Sequence, residues 1–215
     1  MTPTTNGVHQ AMRREQRRVV VALTGASGVV LGVRTLEILS GLPNVETHLI
    51  VSPSAAVTIR SETDYQVEYL HELATETHRI NAIGDSIASG SFPVHGMIVT
   101  PCSIKTLSAV ANCYSDNLIT RAADVTLKEG RPLVLMVRET PIHLGHLRLM
   151  RIAAESGAIL MSPVPAFYPR PQSIEEMVDH MARRALTRLG ITEVGPSPWT
   201  GLRDEGIERT TGRVI

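Results

Sequence analysis

The sequence predicts a doubly wound parallel α/β sheet in a single domain, on three observations. Short apolar runs alternate with segments of helical period along most of the chain, the pattern of parallel strands joined by right-handed crossovers. The first apolar run leads into "TGASG" (24–28), a glycine turn between a strand and a helix. The 215 residues, 43% hydrophobic and 20% charged, suit one soluble, well-buried domain.

The elements follow in order. "RRVVVALTG" reads as the first strand, and "GVVLGVRTLEILSGL" repeats its apolar residues every three and four positions, as a helix does. "VETHLIVS" is the second strand, followed by a helix through "PSAAVTIRSET". Residues 64–95 are polar and irregular, ending in the loop "IASGSF". "GMIVTP" is the third strand, stopped at Pro101, with a helix from Ser103 to Asn112. "DNLITRAADVTLKEG" reads as a helix capped by Asp116 and stopped by Gly130. The apolar run 132–137 is the fourth strand, ending in Arg138, Glu139 and Pro141. A helix over "HLGHLRLMRIAAESG", the strand "AILMS" and a helix from Ser173 to Leu189 complete the core region. We expect a disordered arm over 1–17, the domain over 18–192, and a Pro/Gly/charge-rich tail over 193–215.

Composition narrows the function. A formal net charge of zero leaves no footprint for nucleic acid or an anionic membrane, and 3% aromatic residues cannot supply a base-stacking platform. Cys102 and Cys113 are the only cysteines, too few for a disulfide framework or a cysteine-rich zinc site, so a reducing cytoplasm is expected. "MRREQRR" before "VVVALTGASGVVLGV" imitates a secretory signal, but Thr24, Gly25, Ser27 and Gly28 break the apolar stretch. No stretch reaches the roughly 20 apolar residues of a membrane span.

In such a sheet ligands bind outside the carboxyl ends of the strands. The segments expected there are "TGASG", "VSPS" (51–54), "TPCSIKT" (100–106), "VRETP" (137–141) and "SPVPAFYPRP" (162–171). Gly25 and Gly28 leave backbone N–H groups and a helix dipole facing an anion, unless they form a plain glycine turn. Gly25, Gly28 and Gly32 do not have the G-x-G-x-x-G spacing of a dinucleotide site, and the second strand ends in Ser52 rather than an acidic residue. Hydroxyls at Ser27, Ser52, Ser103 and Thr106 suit the phosphate and polyol of flavin mononucleotide (FMN).

Arg121, Lys128, Arg138 and Arg184 are an unusual stock of cations beside such a site. Arg121 and Lys128, two helical turns apart, can face the same way, although Lys128 alone reads as a solvated surface charge. Cations converging beside a flavin imply a second anion such as a phosphate. Glu139 beside a phosphate suits a general acid. Glu62 reads as a solvated charge, Cys102 as a small packed residue, and His143 with His146 as packing or capping rather than a metal pair.

"TGASG", "SETD", "ASGSF", "PCSIKTLSA", "DNLITRAADVTLKE", "PLVLMVRETPIHLGHLRLM", "PVPAFYPRPQS" and the helix carrying Arg184 occur in the order and spacing of a known family. The chain resembles the flavin prenyltransferases, UbiX-type flavoproteins formerly described as aromatic acid decarboxylases, from about Val19 to Ile191 and weakly on to Trp199. The resemblance implies a Rossmann-like, flavodoxin-type fold in a homododecamer, with active sites at subunit contacts. It implies metal-independent joining of a dimethylallyl group, from dimethylallyl monophosphate, to N5 and C6 of reduced FMN. The prenylated FMN would pass to a partner UbiD-type decarboxylase.

Carried over by motif, Gly25, Ala26, Ser27, Ser52, Ser103, Ile104, Lys105, Thr106 and Arg138 would hold the flavin. Arg121, Lys128, Tyr168 and Arg184 would hold the donor phosphate. Glu139 would protonate the departing phosphate, Ser27 would assist proton movement at N5, and Glu62 would act in later proton steps. The sequence departs from the family pattern at Leu31, where an aromatic is usual, at Gly130 in place of an arginine, and at Pro169 in place of a histidine. Two other readings remain: a non-catalytic FMN carrier, and an FMN-dependent thiol decarboxylase of the related flavoprotein class.

Overall fold

Six parallel strands form one sheet in the order β3-β2-β1-β4-β5-β6. The structure, a computed structural model, describes residues 16–196 and Gly201. Most of the expected arm and tail, including Trp199, lies outside the described residues. Arg17 already opens β1 (Arg17–Leu23) and its guanidinium donates to Glu193, so the last described residues pack against the first strand.

β1, β2 (Val45–Val51), β4 (Gly96–Cys102) and β5 (Leu133–Val137) form the centre, with β1 and β2 in register from Arg17 and Val45 to Leu23 and Val51. Both faces of the central strands are covered, which is why they read as continuous apolar runs rather than alternating ones. Val19, Val21 and Leu23 face α1 (Val30–Ser40) and α7 (Ile174–Arg188), packing with Leu36, Leu39 and Leu186. Val20 and Ala22 face the other way, toward α4 (Ile104–Ala111), α5 (Leu118–Lys128) and α6 (Leu144–Glu155), with Leu107, Leu118 and Ala153. Each fully buried Val, Leu or Ile among them stabilises the fold by about 1.5–3 kcal/mol.

The segment 64–95, expected to be irregular, contains α3 (Val67–Leu73), the edge strand β3 (Glu76–His78) and a 3-10 turn over Ser86–Ala88. α3 buries only Leu70, and β3 is three residues long, so neither leaves a legible period. Without β3 the other five strands have the flavodoxin order; with it, the order is that of a Rossmann sheet. β4 runs one residue beyond the expected stop at Pro101, through a register shift between Val99 and Cys102. β6 keeps only Ile159–Leu160 of the expected strand.

The cap of α5 is Asn117 rather than Asp116. The Asn117 side chain accepts from Thr120 N while Thr120 Oγ1 accepts from Asn117 N, a reciprocal capping box. Asp116 instead supports the cap, accepting from Asn117 Nδ2 at 2.6 Å. Gly130 stops the helix as expected, with φ +66°. No helix among the described residues is long and apolar enough to cross a membrane.

Candidate active site

The strand order reverses between β1 and β4, and the crevice outside their carboxyl ends is where a doubly wound sheet takes its ligand. Thr24 pins the two loops there: its hydroxyl donates to the Pro101 carbonyl at 2.7 Å and accepts from Ser103 N at 2.8 Å. Gly25 is required by close approach, since a Cβ on it would overlap Ser54 Cβ. Gly28 turns the chain with φ +92°. At Gly32 a Cβ would overlap the Thr100 carbonyl, so α1 lies tight on the sheet.

Two helix N-termini border the crevice. Ser52 caps α2 (Pro53–Glu62), accepting from Ala55 N at 3.0 Å. Ser103 caps α4, accepting from Thr106 N at 3.3 Å, and its hydroxyl meets Thr106 Oγ1 at 3.2 Å. A cavity of about 790 Å³ opens between them, lined by Gly25, Ser52, Ser103, Lys105 and Thr106, with Ile119 of α5 opposite. That volume suits a small-molecule ligand. The dipoles of α2 and α4 favour an anion, and the hydroxyls and backbone groups suit a polyol chain. The residues present therefore fit FMN. Ala26 is buried, Ser27 half-buried, and Ile104 packs against the core beside the cavity. A second cavity of about 760 Å³, between α1 and α7, is lined by Val33, Tyr65, Pro169 and Met177. It shares no residue with the first.

The carboxylate of Glu62, at the end of α2, accepts from Gly28 N at 2.7 Å. It is exposed, as expected of a charge at a helix end, and is also docked on the turn beside Ser27. Arg138 and Glu139 follow β5 directly. Arg138 N donates to the Cys102 carbonyl at 3.1 Å, extending the ladder, and its side chain is exposed. Glu139 Oε1 accepts from Thr140 N at 3.0 Å, which turns the carboxylate back over the loop.

The four phosphate-binding candidates do not converge within one chain. Arg121 and Lys128 do face the same way, along the loop 88–92. Arg121 Nε donates to the Ala88 carbonyl at 3.2 Å, and Lys128 pairs with Glu129 beside Gly90. Arg121 also holds Asp124 at 2.9 Å. Arg184 stands exposed on α7, on the opposite face of the sheet, with no ion pair among the described residues. Tyr168 lies near it in sequence-distant contact with the same helix, its hydroxyl 3.3 Å from His180 Nε2.

The remaining candidates are structural. Cys102 is fully buried and its thiol is pushed up to about 12 by burial, which keeps it protonated and poorly nucleophilic. His143 caps α6, accepting from Gly145 N at 3.0 Å, and its ring lies 3.6 Å from that of His146. Leu31 is buried in the core and Gly130 is exposed at a helix end.

Sequence reasoning missed Thr24 and Arg131. Arg131 donates to the carbonyls of Gly90 at 2.9 Å and Phe92 at 3.0 Å, so a third cation organises the loop next to Arg121 and Lys128. A hint lay in its position just after the helix stop.

Comparison with known proteins identifies the family. The chain matches the flavoprotein family model over residues 8–186. It is 52% identical over 176 residues to the flavin prenyltransferase UbiX of Escherichia coli K12, covering 82% of this chain and 93% of that one. The crystal structure of AnUbiX (PadA1) in complex with FMN and dimethylallyl pyrophosphate superposes with a TM-score of 0.84 at 46% identity, covering 88% of this chain and all of that one. A dodecameric FMN-dependent UbiX-like decarboxylase from Escherichia coli O157:H7 gives 0.83 at 42% identity, covering 86% of this chain and all of that one. With its parallel sheet, its FMN-sized crevice and this degree of identity, the chain belongs to the UbiX-type flavin prenyltransferases.

Proposed function

We propose that this protein joins the dimethylallyl group of dimethylallyl monophosphate to N5 and C6 of reduced FMN. The prenylated FMN is made for a partner decarboxylase of the UbiD type, in the cytoplasm. The observation that carries this reading is the crevice pinned by Thr24, where the hydroxyl-capped N-termini of α2 and α4 meet a glycine that tolerates no side chain. Gly25, Ala26, Ser27, Ser52, the Ser103–Thr106 turn and Arg138 hold the flavin. Reduced FMN supplies the nucleophilic nitrogen when bound.

The chain's own work is on the leaving group. An allyl phosphate ionises only when its departing phosphate is neutralised, which preorganised cations and one acid achieve. Arg121, Lys128 and Arg184 neutralise it, Tyr168 donates a hydrogen bond to it, and Glu139 delivers a proton to a phosphate oxygen. Ser27 and Glu62, adjacent through Gly28, move protons near N5 and in the closing of the new ring. Because α5 and α7 lie on opposite faces of the sheet, Arg121 and Arg184 meet one phosphate only across a subunit contact. The exposed Leu144, Phe167 and Ile174 supply apolar surface for such contacts, and a homododecamer is the assembly proposed. No histidine lies near the end of β1, and the segment at the end of β4 is "TPCSIKT", which speaks against the thiol decarboxylase.

The test is anaerobic. The protein is mixed with reduced FMN and either dimethylallyl monophosphate or the pyrophosphate, and the released flavin is weighed by mass spectrometry. A gain of one five-carbon unit is expected, with the monophosphate preferred. Flavin that binds and is released unaltered with both donors would favour a carrier instead.

A further inference from the structure

On the same face of the sheet as the flavin cavity, at its outer edge, two histidines and a glutamate converge. Strand pairing sets His48 of β2 opposite Glu76 of β3, with His78 two residues further on. His48 Nδ1 lies 3.0 Å from His78 Nε2 and 3.5 Å from Glu76 Oε2, and Glu76 Oε1 lies 3.8 Å from His78 Nε2. Two ligands of a tetrahedral zinc with bonds of about 2.0–2.1 Å stand about 3.3 Å apart, so these atoms already outline one face of such a tetrahedron.

The hydrogen bonds around the cluster leave ring nitrogens facing the carboxylate. Asp85 Oδ2, 2.9 Å from His78 Nδ1, accepts its proton and leaves Nε2 with a lone pair. His48 Nε2 is buried with no partner, so Nδ1 is that ring's one route to the cluster. A single hydrogen between the two rings accounts for their contact, and the Glu76 carboxylate faces both rings from the solvent side. The His48 ring is itself buried, with 4% of its side chain accessible. The fixed cation in reach, Arg18, is held by Glu46 at 2.7 Å and lies over the Phe92 ring. Among the described residues no Arg or Lys pairs with Glu76, so the set brings two ring nitrogens and a carboxylate together without a cation.

We propose that His48, Glu76 and His78 form a structural site for a divalent transition metal, zinc foremost, with Asp85 positioning His78. Two imidazoles and a carboxylate suit zinc, and the Asp–His pair is the support that metal-bound histidines commonly receive. Glu76 is exposed, with 56% of its side chain accessible, so water fills the fourth position. The metal ties the three-residue edge strand β3 to β2. Ile80, two residues beyond β3, lines the flavin cavity, so the tie steadies one wall of the active site without entering the prenyl chemistry.

The test uses the untagged full chain, stripped with a chelator and titrated with Co²⁺ and then Zn²⁺. One Co²⁺ per chain is expected, with the intense visible absorption of a tetrahedral site, displaced by Zn²⁺ and accompanied by a higher melting temperature. Asp85→Asn is expected to weaken Zn²⁺ binding about 10–100-fold with the tetrahedral spectrum retained, whereas His78→Asn abolishes that spectrum. If His78→Asn fails to fold, Glu76→Gln, at an exposed position, still reads the site by weakening binding at least about tenfold. A pale, octahedral Co²⁺ spectrum, or affinity unchanged in Glu76→Gln, would overturn the proposal.

Discussion

The backbone N–H of Gly28 donates to the Glu62 carboxylate at 2.7 Å, so the end of α2 reaches across to the turn between β1 and α1. This bond takes up the Gly28 backbone donor at the turn. It also puts a carboxylate next to Ser27. We expect Glu62→Gln to retain FMN within a few-fold, because the amide oxygen still accepts from Gly28. Formation of the alkylated flavin should fall about 10²–10⁴-fold, the range for losing a positioned acid or base. Single-turnover mass spectrometry under anaerobic conditions reads both effects, and full turnover in Glu62→Ala would remove Glu62 from the proton path.

Glu139 makes the complementary case. Its carboxylate accepts from Thr140 N in the loop that follows β5. Glu139→Gln should keep FMN binding and cut product formation by about 10²-fold or more. Arg138→Ala, beside it, should lose flavin itself. An Arg138→Ala protein that still purifies with FMN and turns over normally would count against the assignment.

Gly25 tests the cradle. A methyl group there overlaps Ser54 Cβ, so Gly25→Ala should destabilise the fold by about 1–3 kcal/mol, the cost of overpacking, and shed FMN. Removing the obstacle in a Gly25→Ala, Ser54→Gly double variant should recover much of the melting temperature. No recovery would show that the strain lies elsewhere.

These residues also show what the sequence could reveal. Ser52 and Ser103 were legible as hydroxyls at the carboxyl ends of apolar runs, whereas their capping of α2 and α4 was not read from the sequence. The alternation of strands and helices was legible because burial on both sheet faces produces long apolar runs. Thr24 was not, because its bonds to Pro101 and Ser103 cross 77 and 79 residues. His48 and His78 are likewise 30 residues apart and meet only through β3, which is too short to leave a pattern. The separation of Arg121 from Arg184 by the sheet follows from topology, and no spacing along the chain encodes it.

The contact between α1 and α7 is sensitive to acid. Arg34 and Arg183 hold Asp179 at 2.7 and 2.6 Å. Burial raises the Asp179 pKa, but the hydrogen bonds from Arg183 and Arg34 outweigh it and hold the carboxyl below its ordinary value of 3.8. A group whose folded pKa is depressed stabilises the fold above its unfolded pKa, and that stabilisation is lost as pH falls through the folded value. Asp179→Asn should therefore cost about 1 kcal/mol near pH 7, after screening of these partly exposed groups. The difference from the wild type should shrink only below about pH 4. Denaturant melts of both proteins across that range measure it, and a gap unchanged down to about pH 2 would assign the cost to packing.

The position of the cations permits a test of where the active site is assembled. Arg121 lies on α5 and Arg184 on α7, with the sheet between them. If both serve one phosphate, they come from different subunits, and defects in the two are complementary. Arg121→Ala and Arg184→Ala homo-oligomers should each be nearly inactive. Dissociated and reassembled together in equal amounts, they should recover about a quarter of wild-type activity, since each intact site needs one suitable neighbour on each side of the contact. Two arginines acting within one chain would give no recovery, because every chain in the mixture would carry one defect.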